Sequence, residues 1–347
     1  MSLVNHKDAG IASGRGAAGE RVLGLVQNHT SWFFLAILVL AGVLSSGKFL
    51  GGSNLVNIFR QITVTGMVAI GFTFVLITGG LDLSIGANVS LCSVMVITLL
   101  NAGAPIPLAI LGTLCLGVCV GLVNGLIVKA IRATVGASFL ITMGMSLALQ
   151  SVALMITNGY EVYVRGNEAY AAIGQGMLGP IPVPLLILLL AMLISQYVLG
   201  QTKLGRRIFL TGANKQASYL SGVDVANVRL TAFMIAGLCA AMTAILLTAR
   251  TTGGGPRAGK GYEFEAAIIA IVGGNAIEGG RGSMLKTLCG ALIYGLITNI
   301  TTLNGLEPNL ISVIKGGVLI LAVLLSRLSD VAASIRRSKN EKAKANI

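Results

Sequence analysis

The sequence predicts an all-α polytopic membrane protein, and its composition is the first reason. Of its 347 residues, 54% are hydrophobic and only 11% are charged. The mean hydropathy is +0.85. A soluble domain usually carries about 25% charged residues. Polar side chains this sparse could not cover a surface that faces water, so we expect the lipid bilayer to surround much of the molecule.

Apolar runs of spanning length are the second observation. About 20 consecutive apolar residues cross a bilayer as a helix, and the chain contains about ten such runs. The predicted segments cover residues 31–50, 58–78, 83–100, 106–129, 137–157, 183–200, 230–249, 263–277, 284–303 and 309–327. We therefore expect one transmembrane domain at 31–328, between a polar cytoplasmic tail at 1–30 and a basic cytoplasmic tail at 329–347.

The distribution of positive charge is the third observation, and it predicts the orientation. If the N-terminus lies inside, 18 of the 25 lysines and arginines fall on the inner side. The outer side then holds Lys48, Arg60, Arg165, Arg250, Arg257 and Lys260. Inner loops normally carry the excess of Lys and Arg, so both termini are expected inside. The same rule accounts for the net charge of +13, and we expect no nucleic acid partner.

A weak internal repeat relates the two halves of the chain. The second segment ends in Thr78-Gly79-Gly80 and is followed by Asp82, while the seventh is followed by residues 251–255, TTGGG, and by two acids. An offset of five helices gives the halves opposite orientations, as in transporters built from two inverted repeats. A chance match stays open, because glycine and threonine are common in this chain.

Residues 201–229 form the longest basic stretch after the N-terminal tail that lacks a spanning run. They hold five cations and a single acid: Lys203, Arg206, Arg207, Lys215, Arg229 and Asp224. Two interpretations stay open at this point. The stretch is either a cytoplasmic coupling loop on which a separate motor acts, or a solvated loop that follows the positive-inside rule.

Residues 78–86, TGGLDLSIG, are a candidate hinge. Gly79 and Gly80 can end a helix because glycine adopts positive φ at little cost. Asp82 or Ser84 can then cap the next helix by accepting its free N–H groups. A broken helix at membrane depth must face protein or water, so one interpretation is a hinge that lines a pathway. The alternative is an ordinary turn at the inner face.

Three other features have open interpretations. Lys315 lies in the last segment, where a charge needs a partner, an aqueous cavity or access to the interface. Gly117, Gly121 and Gly125 share one helix face and allow close approach of a backbone from the same chain or from a second copy. The glycine-rich turn at 273–283 is a candidate for a second, smaller contact with the motor.

Several kinds of site are not expected. Both histidines lie in the N-terminal tail and the five cysteines lie in apolar runs, so we predict no metal site, cofactor or disulfide framework. Residues 254–261 approach a phosphate-binding loop, but Gly261 stands where Ser or Thr should follow the lysine. The chain is therefore not expected to hydrolyse ATP. An ion-coupled transporter using Asp82 and Glu265 remains the alternative mechanism.

Three stretches together resemble one known family: TGGLDLSIG at 78–86, LGRRIFLTGANKQASYLSGVDV at 204–225 and GYEFEAAIIAIVGGNAIEGGRGS at 261–283. They are similar to the permease subunit of ribose-type carbohydrate ABC importers of the bacterial plasma membrane. The resemblance implies cytoplasmic ATP-binding subunits, a periplasmic solute-binding protein and a second permease copy or paralogue. A branched-chain amino acid or nucleoside importer is the alternative within the same class.

The resemblance also implies residue roles. It assigns coupling to the ATPase to a set on the basic stretch: Gly212, Asn214, Ala217, Ser221 and Gly222. The family's usual acid-Ala-Ala run after the asparagine is Lys215-Gln216-Ala217 here. From the residues themselves, the predicted pathway or hinge set is Gly79, Gly80, Asp82, Ser84 and Lys315.

Overall fold

The computed structural model describes residues 31–164, 166–321 and 323–324. Within them lie thirteen helices and four two-residue strands. The helices are α1 Ser31–Ser45, α2 Gly52–Ile77, α3 Ile85–Asn101, α4 Ile106–Ala130, α5 Val135–Thr157, α6 Glu168–Gln175, α7 Val183–Gln201, α8 Lys203–Ala213, α9 Lys215–Leu220, α10 Val225–Thr251, α11 Tyr262–Val272, α12 Met284–Leu303 and α13 Pro308–Leu321. The strands are β1 Val162–Tyr163, β2 Met177–Leu178, β3 Ile181–Pro182 and β4 Gly253–Gly254. Both predicted tails lie outside the described residues.

Each predicted segment overlaps one helix, and the all-α polytopic class is confirmed. Six of the described helices, α2, α4, α5, α7, α10 and α12, are long and apolar enough to cross a membrane. Helices α1, α3 and α13 are apolar but shorter. The total of ten spans, the orientation and the inverted repeat stay predictions.

Helices α2 and α10 form the centre of the bundle. The apolar window of α2 is 89% buried and that of α10 is 61% buried, against 17–28% for α4, α5 and α7. Small residues allow the close contact between them, since a Cβ at Gly71 would lie 2.9 Å from the Cα of Ala236 and 2.8 Å from the Cβ of Cys239. The outer helices expose leucine and isoleucine side chains, as expected for surfaces in contact with lipid.

The glycine face of α4 packs against α10 of the same chain, which resolves one open question. A Cβ at Gly117 would lie 2.7 Å from the Cβ of Ala241, and a Cβ at Gly125 would lie 2.9 Å from the Cα of Leu230. Residue numbers rise along α4 as they fall along α10, so the two helices are antiparallel. Glycine is needed here because the backbones approach too closely for any side chain.

Helix α11 corrects the predicted eighth segment, 263–277. It ends at Val272 and has 11 residues, about 16 Å of helix, too short for a hydrocarbon core of about 30 Å. The non-helical chain before it folds in against α3, where the Ser93 and Ser90 hydroxyls accept the N–H groups of Gly255 and Gly259 at 3.2 and 2.9 Å. Irregular backbone at such depth requires internal hydrogen bonds of this kind.

The same contacts locate two charges relative to α3. Arg257 and Lys260 are exposed and lie close to Gly259, which contacts α3 near its N-terminal end, and their place on the outer side stays a prediction. Ser90 lies five residues into α3, about 8 Å from its first residue. The connection between α10 and α11 therefore reaches into the depth that α3 covers.

The basic stretch 201–229 is largely helical. It contains α8 and α9, and α10 begins at Val225, five residues before the predicted start. Asp224 fixes that start because its Oδ1 accepts the N–H of Asn227 at 3.0 Å. Arg229 consequently lies in the second turn of α10 rather than in a loop.

Candidate functional site

Helix α9 connects α8 to α10, and four of the predicted coupling residues lie in it or at its ends. Asn214 caps its start, with Oδ1 accepting the N–H of Ala217 at 2.9 Å. Gly222 ends it with φ +77°, and the N–H groups of Gly222 and Val223 bond back to the carbonyls of Tyr219 and Ser218 at 3.0 Å each. This pair of bonds is the Schellman ending that glycine favours. Asn214, Ala217, Ser221 and Gly222 are all exposed.

Sequence reasoning missed two further residues of α9. Tyr219 and Leu220 are 73% and 78% exposed, among the most exposed large apolar side chains in the described residues. The available signal in the sequence was a pair of neighbouring apolar residues between Asn214 and Gly222 on a basic stretch. Neighbouring apolar side chains left exposed on a polar connection are typical of a protein contact surface.

Gly212 lies apart from the other coupling residues, at the end of α8. A Cβ there would overlap the carbonyl oxygen of Ile77, which accepts the N–H of Gly280 at 2.8 Å. The Cβ position at Gly79 lies 3.4 Å from the carbonyl oxygen of Glu278. The end of α2, the end of α8 and the turn 273–283 thus meet at one place, which we call the junction. All three stretches that carried the resemblance contribute to it.

Asp82 and Ser84 behave differently from the prediction. Neither side chain caps the first turn of α3. Instead Asp82 Oδ1 accepts the backbone N–H and the hydroxyl of Ser84 at 2.9 and 2.6 Å, and Asn124 Nδ2 donates to the Ser84 hydroxyl at 2.7 Å. Burial raises the pKa of Asp82, and the bonds from Ser84 lower it by less. The turn is therefore a buried polar contact with α4, and its role as a pathway hinge stays a prediction.

The two glycines of the predicted hinge differ as well. Gly79 has φ +70°, as expected for a residue that ends α2, whereas Gly80 does not adopt positive φ. Its N–H instead donates to the carbonyl of Val75 at 3.1 Å. Of these two glycines, only Gly79 is required for its positive φ. At Gly80 the constraint is space, because a Cβ there would lie 3.1 Å from the side chain of Val75.

Lys315 pairs with a carboxylate, which settles the alternatives left open for it. Its Nζ lies 3.6 Å from Glu265 Oε1 and 4.4 Å from the centroid of the Tyr294 ring. The contact joins α11, α12 and α13. Lys315 and the 78–86 turn therefore have separate sets of partners, and the predicted pathway set is divided between two places.

Replacing Lys315 by methionine should destabilise the protein by about 1–2 kcal/mol, because Glu265 loses its cation in an apolar setting. The loss is limited because the two side chains remain 18% and 24% exposed, so that solvent screens their attraction. Thermal unfolding in detergent measures it. The double variant with Glu265→Gln should recover most of the loss, and additive losses in the double variant would contradict the pairing.

Comparison with known proteins gives the family. The family described as "Branched-chain amino acid transport system / permease component" matches residues 54–323. The ribose import permease of Bacillus subtilis (strain 168) is 34% identical over 305 residues, covering 88% of this chain and 94% of that protein. The D-allose transport system permease of Escherichia coli (strain K12) is 34% identical over 304 residues, covering 87% and 92%.

A more distant relative extends the match. The xylose transport system permease of Escherichia coli (strain K12) is 28% identical, covering 97% of this chain and all of that protein. No solved structure matches the chain. The family match over most of the chain and the six spanning helices agree on a multi-pass plasma membrane protein that is a transport component rather than an enzyme. The chain therefore belongs to the family of ABC-importer permeases that includes the ribose import permeases.

Proposed function

We propose that this chain is the transmembrane subunit of an importer that moves a sugar or a sugar-like solute inward. Relatives named for ribose, D-allose and xylose support the solute class. The family description names branched-chain amino acids, which keeps that solute as the runner-up. We assign ATP hydrolysis to separate cytoplasmic subunits, as the resemblance implies, and Gly261 breaks the phosphate-loop pattern at 254–261 of this chain.

The exposed apolar face of α9 is the observation that carries the ATP-driven part of this proposal, because it offers a surface on which ATP-binding subunits can dock. Tyr219 and Leu220 are free to enter a groove on an ATP-binding subunit, and Gly222 places bare backbone beside them. Asn214 and Gly222 fix the two ends of the helix, so a partner would meet a rigid element. Movement of α8 then reaches α2 through Gly212 at the junction. The proposed coupling set is thus divided into a docking part on α9 and a transmission part at Gly212.

The remaining partners follow from the proposed orientation with both termini inside. It places α9 and the junction at the cytoplasmic face. Residues 158–182, with Tyr160 74% exposed and Tyr163 56% exposed, then face the periplasm and a solute-binding protein. The exposed faces of α4, α5 and α7 are available to lipid and to a second permease copy. We assign residues 31–328 to one permease domain, with 1–30 and 329–347 as cytoplasmic tails.

The solute pathway is proposed to run beside the break between α10 and α11. Interrupted helices supply unpaired backbone groups near the middle of many transporters. Here the serine hydroxyls at 90 and 93 line one side of the break. The two halves of the chain, each with a central helix ending in glycines, are proposed to be inverted repeats, with α2 and α10 as counterparts.

Changing Leu220 to glutamate tests the docking proposal. The charge should weaken binding of the ATP-binding subunits by about 2 kcal/mol, roughly 30-fold, as for a central contact residue. Copurification with the tagged permease measures the binding, and uptake of ribose, allose, xylose and leucine is measured in the same cells. Uptake of the transported sugar should decrease in parallel with the amount of ATP-binding subunit that copurifies.

Leu178→Glu is the matched control, because Leu178 is 66% exposed on β2, at the proposed opposite face. It should leave copurification of the ATP-binding subunits unchanged, and only this measurement is compared, because residues 158–182 are the proposed contact with the solute-binding protein. Full uptake by Leu220→Glu without a bound ATPase would disprove ATP-driven transport and favour the ion-coupled alternative. Uptake of leucine alone would reject the sugar assignment.

A further inference from the structure

A basic groove of about 740 Å³ lies between the C-terminal end of α4 and the connection from α9 to α10. Four cations line it: Lys129, Arg132, Lys215 and Arg229. Asp224 is the single acid in the lining, and its two carboxylate oxygens already accept the backbone N–H and the side-chain amide of Asn227 at 3.0 and 2.6 Å. The groove therefore carries an excess of positive charge.

Arg229 is the deepest of these cations. It is 4% exposed, and its Nη1 donates to the carbonyl oxygen of Ala133. Its Nε and Nη2 have no hydrogen-bond partner among the described residues. Leaving a buried charged donor unpaired costs free energy, and buried charges are normally paired. An anion bound in the groove would compensate the charge of Arg229.

Lys215 adds a second partly buried positive charge to the groove. It lines the same groove as Arg229, so two cations lie together at this point. Burial lowers the pKa of Lys215, and the positive charge of Arg229 lowers it further. A negatively charged group between them would convert the repulsion into two attractions.

The surroundings of the groove indicate the source of the anion. Close to Lys129 in sequence, Leu126 and Ile127 at the end of α4 and Ile131 directly after it are 46%, 37% and 58% exposed. In a membrane protein, exposed apolar side chains of this kind contact acyl chains. A phospholipid can therefore lay its tails along α4 and place its headgroup in the groove. Basic pockets between transmembrane helices bind anionic headgroups in this way.

We propose that this groove is a binding site for the phosphate-bearing headgroup of an anionic phospholipid. Lys129, Arg132 and Lys215 contact the phosphate, and Arg229 supplies the uncompensated charge at the base of the groove. Because Tyr219 and Gly222 also line the groove, the bound lipid lies directly beside α9. The site depends on the groove and on the membrane, and it does not depend on docking of an ATPase.

Native mass spectrometry of the purified permease tests the proposal, by titration with phosphatidylglycerol, phosphatidylcholine and inorganic phosphate. Phosphatidylglycerol should bind about tenfold more tightly than phosphatidylcholine, because the choline cation of phosphatidylcholine offsets the negative charge of its phosphate. Lys215→Gln and Arg132→Gln should each reduce that preference about fivefold. Lys203→Gln and Arg206→Gln are the matched controls, because both residues are exposed on α8 outside the groove, and they should keep the preference.

Three results would overturn the proposal. Equal binding of the two lipids would show that the groove does not select an anionic headgroup. Binding of inorganic phosphate that depends on Lys215, without a preference between lipids, would make the groove a site for a soluble anion. Loss of copurified ATP-binding subunits in Lys215→Gln, again without a lipid preference, would assign the groove to a carboxylate of the partner protein.

Discussion

Replacing Gly121 by leucine should destabilise the protein by about 3 kcal/mol or more, since overpacking of this size exceeds what a helix contact absorbs. A Cβ at Gly121 would lie 2.9 Å from the carbonyl carbon of Phe233 and 3.0 Å from the Cα of Met234. Leucine adds three more carbons to that overlap. Helices α4 and α10 would have to separate, and α10 is central to the bundle.

Thermal unfolding followed by size-exclusion chromatography in detergent measures this effect. Gly144→Leu is the matched control, because Gly144 also lies inside a helix, α5, and a Cβ there would meet nothing within 4 Å. The control should unfold close to the wild-type temperature. A Gly121→Leu protein as stable as the control would show that α4 and α10 do not pack in the way described.

Replacing Gly212 by valine should reduce uptake roughly 100-fold while the ATP-binding subunits still copurify. The size corresponds to the upper end of coupling free energies, about 3 kcal/mol. The new side chain would displace the end of α8 from Ile77 and Gly280, whose mutual hydrogen bond of 2.8 Å closes the junction. The exposed face of α9 is unchanged, so docking is expected to persist.

Gly200→Val is the control for this variant. Gly200 lies in α7, and the nearest atom to a Cβ there is Gln196 Nε2 at 3.8 Å. It should transport normally. If Gly212→Val instead loses the ATP-binding subunits, Gly212 belongs to the docking surface. If it transports normally, the junction plays no part in transmission.

The features that could be predicted from sequence are those that depend on neighbours along the chain. The spacing of Gly117, Gly121 and Gly125 predicted close backbone contact, since residues four apart share a helix face. Asn214 and Gly222 have the local chemistry of a helix start and a helix end. Apolar runs located ten helices for the same reason.

The features that could not be predicted depend on residues far apart in sequence. One helix cannot reveal which helix faces it, so α10 was not identified as the partner of the glycines. The depth of Gly255 and Gly259 follows from Ser93 and Ser90, over 160 residues earlier. Lys315 was known to need a partner, but nothing near it in sequence indicated Glu265.

The length and crossing point of α10 have a mechanical consequence. The helix has 27 residues, about 40 Å, with α9 before its first turn and β4, paired with β1, after its last. Its close contacts with α4 run from Leu230 to Ala241, around the middle of the helix. A rod that pivots at its midpoint moves its two ends in opposite directions. A tilt of α10 that widens the opening at one end of the bundle would therefore narrow the opening at the other end. The two ends would not be open at the same time.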